Sequence, residues 1–149
     1  MENPKAIWDL LKSKNLSATL YLPENPLVDM PPQSPHWRYA LRKPKKLWTF
    51  GALPFGIMTQ IPRPDVIFSP THYIPRFVPI PRVMSIMDLS FLTYPDLFRK
   101  KDLYQLVQWT EYSVRHSRAI FTISEFSRNA IIKQYQIDPK RVIVTYPGL

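Results

Sequence analysis

The segment Ala119 to Leu149, AIFTISEFSRNAIIKQYQIDPKRVIVTYPGL, restricts the fold more than any other part of the chain. Ala119 to Ile123 is a short apolar, β-branched run of the kind that forms a strand buried on both faces. Ser124 followed by Glu125 is a helix start: the hydroxyl can accept from amides of the first turn, and the carboxylate sits at the positive end of the helix dipole. The pattern predicts a helix from Glu125 to about Tyr135, with Phe126, Ala130, Ile131 and Tyr135 on one face and Arg128, Asn129 and Lys133 on the other. Asp138-Pro139 interrupts it, and Arg141 to Tyr146 is a second apolar β-branched run. Strand, helix and strand in that order predict a right-handed βαβ unit, hence a parallel sheet with helices on its faces.

The rest of the chain supplies enough material for such a sheet. At 149 residues and 45% apolar content, one domain with a core is expected. Asn3-Pro4 caps a short helix ending near Lys14, with Ala6, Ile7, Leu10 and Leu11 as its apolar stripe. Leu16 to Leu22 and Trp37 to Leu41 read as strands on either side of a proline-dense loop, Pro23 to Pro35. Lys45 to about Gln60 reads as a helix bent at Pro54. Asp65 to Ser69 and Arg82 to Met87 are further strands, Asp88 to Phe98 an irregular connection, and Lys100 to about Ser117 the longest helix. Its buried side is expected at Leu103, Leu106, Val107, Trp109 or Thr110, and Val114, while Arg115, His116 and Arg118 suit its negative pole.

Several function classes drop out. Without cysteine there are no disulfides, thiolate nucleophiles or cysteine-ligated zinc. His36, His72 and His116 show no ligand spacing, so no structural metal is expected. Gly51, Gly56 and Gly148 cannot form a glycine-rich phosphate loop. The N-terminus lacks the order of a signal peptide, and no apolar run approaches the roughly 20 residues of a membrane span. A cytoplasmic location is therefore expected.

Charge is uneven. From Met30 to Met87, eight Arg and Lys face the single acid Asp65, a net +7. The cluster Arg38, Arg42, Lys43, Lys45 and Lys46, followed by LWTFGALPFG, has the order of a basic and aromatic interfacial segment that could touch an anionic membrane from its cytoplasmic side. A solvated basic face beside a buried helix explains the same charge more simply.

In an open parallel sheet, ligands collect where strands end, which directs attention to Ser69 to Tyr73 and Met87 to Leu92. Three ordered stretches, PDVIFSP, MDLSFLTYPDLF and TISEFSR with its YPG ending, resemble the N-terminal domain of group 1, family 4-type retaining glycosyltransferases of the GT-B fold. The resemblance implies a Rossmann-like, three-layer parallel sheet, and transfer of a sugar from a nucleotide diphosphate sugar to a glycan or lipid-linked acceptor, as in polysaccharide or cell-envelope biosynthesis. It also implies that residues 1–149 are a partial domain, with the first strand and glycine-rich loop missing and the donor-binding domain absent. On that expectation the chain binds no cofactor or donor and shows no transferase turnover alone.

By the same resemblance, the candidate acceptor and cleft residues are Ser69, Thr71, His72, Met87, Asp88, Ser124, Glu125 and Arg128. Met87 stands where the family commonly has histidine, and a thioether cannot take a proton at neutral pH. Asp88 could equally cap backbone amides, and Ser124 with Glu125 is explained by helix capping. Arg128 opposes the helix dipole and calls for a partner, either Glu125 or an anion in the cleft. Under the glycosyltransferase reading no nucleic acid partner is expected. The alternatives are a basic module for anionic membrane or nucleic acid, and a catalytically dead relative.

Overall fold

The computed structural model describes residues 4–26 and 30–147, with side chains from Asp9 onward. The chain divides into two compact units, one ending at Thr59 and one starting at Gln60, where composition suggested a single domain. Both are α/β, and every strand pairing within their sheets is parallel.

The first unit contains α1 (Pro4–Ser13), β1 (Ala18–Leu22), β2 (Trp37–Leu41) and α2 (Ala52–Thr59). The Asn3 cap and the Ala6 and Ile7 side chains lie outside the described residues. Strands β1 and β2 pair from Ala18 opposite Trp37 to Leu22 opposite Leu41. The proline-rich connection is tied to β2: Trp37 Nε1 donates to the Tyr39 hydroxyl, which donates to the Pro31 carbonyl, both at 2.7 Å. The expected bent helix is shorter than its apolar pattern. Turns closed by Trp48 N–H to Lys45 O and Phe50 N–H to Leu47 O precede α2, so Pro54 falls in the first turn, where a missing N–H costs nothing, and does not bend the helix.

The second unit contains β3 (Ile67–Ser69), β4 (Arg82–Ser85), α3 (Ser90–Thr93), α4 (Lys100–His116), β5 (Ala119–Thr122), α5 (Glu125–Tyr135) and β6 (Val142–Val144). The strands lie in the order β3-β4-β5-β6. Helix α5 has the expected bounds. The Ser124 hydroxyl accepts from Ser127 N–H at 3.1 Å, and Gln136, left-handed at φ 49°, closes the other end with its N–H on Ile132 O. Strand β6 is shorter than expected because Asp138 caps a 3-10 turn over Pro139–Arg141. The connection read as irregular holds α3 and a second 3-10 turn, Pro95–Leu97.

Two packing expectations are corrected. The buried face of α5 is Ser127, Ile131 and Tyr135, whereas Phe126 is 84% exposed. The capping hydroxyls of Ser124 and Ser127 meet at 3.1 Å and turn that face inward, leaving Phe126 about 100° round the helix from it. Helix α4 fully buries Thr110, Ser113 and Val114, while Leu103, Leu106, Val107 and Trp109 are half-buried.

A further correction concerns layers. Met84, Ile120 and Val142 stand opposite one another on adjacent strands and share one core with Val114 of α4 and Ile131 and Tyr135 of α5. Both long helices therefore cover the same face. Fully burying an isoleucine such as Ile120 or Ile131 contributes about 2 kcal/mol. The other face carries Phe68, Val83, Phe121 and Ile143, with Phe68 54% and Ile143 43% exposed. Strands added in sequence order through crossovers of one hand return each helix to the same side, so this unit has two layers where three were expected.

Candidate functional site at the strand ends

The loops singled out in the sequence leave the sheet at one edge, where β3, β4 and β5 end. Ile86 N–H continues the ladder to Phe121 O at 2.8 Å, so the chain leaving β4 runs beside the end of β5.

The structure brings His72 and Asp88 together from two different loops. The half-buried imidazole stands T-shaped to the buried Phe91 ring, with ring centroids 5.8 Å apart, and lies within electrostatic reach of Asp88. Burial lowers the His72 pKa, and the main-chain carbonyl and the charge of Asp88 oppose that shift. Asp88 is exposed, and its Oδ1 accepts from Ser90 N–H at 2.7 Å. Bonds from the Ser90 hydroxyl and amide hold its carboxyl below the usual carboxylate range, with partial burial opposing and His72 assisting. The result is a neutral imidazole near an ionised carboxylate, one able to donate or accept and the other accepting only.

The remaining candidates are occupied by the fold or stand apart. Ser69 Oγ donates to Tyr73 O at 2.5 Å and lies 3.1 Å from the Thr71 hydroxyl, which closes the turn after β3. Met87 is 42% exposed beside Asp88. Ser124 is consumed by the helix cap. Glu125 lies 3.5 Å from Arg128, whose Nε donates to Val142 O at 3.1 Å and whose Nη2 donates to Pro139 O at 3.2 Å. The guanidinium thus reaches towards the start of β6, and its position against the dipole is accounted for within the protein.

Sequence reasoning missed Ser90, which sets the charge of Asp88, and Phe91, which orients His72. The D-x-S spacing of a side-chain-to-backbone turn was the available signal for Ser90. Tyr73 packs edge-on against Trp109 at 5.3 Å and fixes the far side of the His72 loop.

The basic segment lies in the first unit. Lys45 pairs with Glu24 at 2.5 Å, and Arg42 is half-buried, its guanidinium 5.9 Å from the Tyr21 ring. Arg38, Lys43 and Lys46 are exposed. Among the described residues no helix is long and apolar enough to cross a membrane, and no group of His, Asp or Glu could hold a metal ion. No protein-family model matches the chain, and no curated protein matches it.

Proposed function

We propose that this chain is the acceptor-side part of a retaining, nucleotide-sugar-dependent glycosyltransferase with a Rossmann-like GT-B architecture. The acceptor would be a glycan or a lipid-linked sugar. The observation that carries the reading is the His72 and Asp88 pair at the strand-end edge of a parallel sheet, where such folds collect ligands. The ordered stretches PDVIFSP, MDLSFLTYPDLF and TISEFSR support it, two of them forming the loops that meet there.

In this reading Asp88 accepts from an acceptor hydroxyl and the His72 ring packs beside it, while Met87 contributes only apolar contact. A catalytically dead relative is the second reading, favoured by the thioether of Met87 where the resembled family has an imidazole. The test is nuclear magnetic resonance of the isotopically labelled chain titrated with oligosaccharides and short-chain polyprenyl phosphates. Shifts centred on His72, Asp88 and Ser90 are expected. If every probe leaves those three signals in place, the acceptor reading fails.

A further inference from the structure

A second feature lies at the opposite edge of the same sheet. Strands β4 and β6 begin at or just after an arginine, and β5 follows one directly: Arg82 opens β4, Arg118 precedes β5 and Arg141 precedes β6. Arg118 N–H donates to Arg82 O at 2.7 Å, which sets the first two side by side. Together with Arg115, His116 and Lys140 they line a cavity of about 800 Å3, whose single acidic member is Asp138. That volume falls within the range of small-molecule sites, roughly 300–1,000 Å3.

The cations differ in what already occupies them. Arg141 Nη2 donates to Val114 O at 2.6 Å and to Ser117 O, closing the carbonyl end of α4. Arg115 is paired with Glu111 at 2.8 Å. Asp138 Oδ1 accepts from Lys140 N–H at 2.8 Å, so one of its oxygens is engaged in the turn before β6. The Arg118 and Lys140 side chains have no hydrogen-bond or ion-pair partner among the described residues. Arg82 donates to Pro75 O only at 3.4 Å, and its Nε is buried with no acceptor among the described residues. Two exposed cations without partners, set among further arginines, form positive charge that no acid of the described residues neutralises.

We propose that this cavity binds a small anion carrying two or more phosphate groups. Adjacent strands lie about 4.8 Å apart, so the starts of β4, β5 and β6 spread the cations over about 10 Å, more than one phosphate can span. Arginine forks match phosphate oxygens in pairs, and a concave, cation-lined space favours a discrete small anion over a flat charged surface. The site is independent of the acceptor loops, which lie at the other edge of the sheet.

The test is calorimetric titration of the whole chain with inorganic tripolyphosphate, pyrophosphate and monophosphate at low salt. Tripolyphosphate should bind more tightly than monophosphate. The double substitution Arg118→Gln and Lys140→Gln removes two exposed side chains without partners and should weaken tripolyphosphate by about tenfold or more. The substitution Lys100→Gln with Lys101→Gln removes the same charge at the far end of α4 and should leave affinity unchanged. Should the double variant lose its far-ultraviolet spectrum, Arg118→Gln alone is measured and should weaken binding in the same direction. Equal affinity for all three phosphates, an equal loss in the Lys100 and Lys101 variant, or undiminished binding in the Arg118 variants overturns the proposal. So does binding to phosphatidic acid vesicles while the soluble phosphates stay silent.

Discussion

The imidazole of His72, on the loop after β3, lies within electrostatic reach of Asp88, on the loop after β4. Both residues have a lowered pKa in the folded chain, so both make stability rise with pH, in separate windows. Burial depresses the His72 pKa, so between that lowered value and about 6.5 the unfolded chain holds a proton that the folded chain does not. Stability therefore rises with pH across that window and is lost on acidification through it. The depressed Asp88 carboxyl contributes stability above about 3.8, which is lost as pH falls through its lower folded value. Urea unfolding from pH 4.5 to 8 should show the first slope, and His72→Gln should remove it. A His72 pKa at or above 6.5, read from its ring resonances, would contradict this assignment.

Arg128 donates to two carbonyls at the start of β6, so its loss should appear in stability. Arg128→Ala leaves the carbonyls of Pro139 and Val142 without their donor and should destabilise the second unit by about 1–3 kcal/mol. Arg128→Lys, with one head group for two acceptors, should recover part of that. Unchanged unfolding in Arg128→Ala, with loss of acceptor binding, would return this residue to the ligand.

Gly56 lies inside α2, where alanine ordinarily stabilises a helix by about 1 kcal/mol. The opposite sign is expected here. A Cβ would fall 2.4 Å from Arg42 Nε and 2.5 Å from its Cδ, forcing that half-buried side chain off its place beside Tyr21. A double-mutant cycle should find Gly56→Ala destabilising in the native background and stabilising once Arg42→Ala is present. Additive effects would show that the two residues do not meet.

Tyr135 is 6% exposed, and its hydroxyl has no hydrogen-bond partner among the described residues. Burial, with a smaller contribution from Glu111, pushes its pKa up to about 12. Tyr135→Phe keeps the ring in the core and removes the orphaned oxygen, so it should raise unfolding free energy by about 1 kcal/mol. A clear loss of stability in denaturant titration would mean that the hydroxyl is bonded after all.

What the sequence made legible is local. The bounds of α5 could be read because Ser124 caps it and the Asp138-Pro139 pair lies just beyond its end, both signals carried by neighbouring residues. The apolar runs of β3, β4 and β5 were equally plain. The outward turn of Phe126 was hidden because a buried serine, Ser127, took the place that an apolar residue would normally mark. Pro54 misled because a proline reads the same in a first turn as at a bend until the helix start is known. His72 and Asp88 were both named as candidates, but their contact depends on β3 pairing with β4 in a register that puts Ser69 opposite Met84, and no local pattern encodes that. The arginines at the strand starts were visible one by one, and only the strand order makes them neighbours.

Each strand of the four-stranded sheet after β3 pairs with the strand made just before it. Assembly can therefore follow translation: β4 finds β3, β5 finds β4 and β6 finds β5 without any strand waiting for a segment not yet synthesised. Every loop to be closed is the shortest the topology allows, which lowers the entropic barrier to each pairing. At each stage the newest strand forms the growing edge, so the unpaired backbone most open to mispairing faces the place where its next partner will arrive.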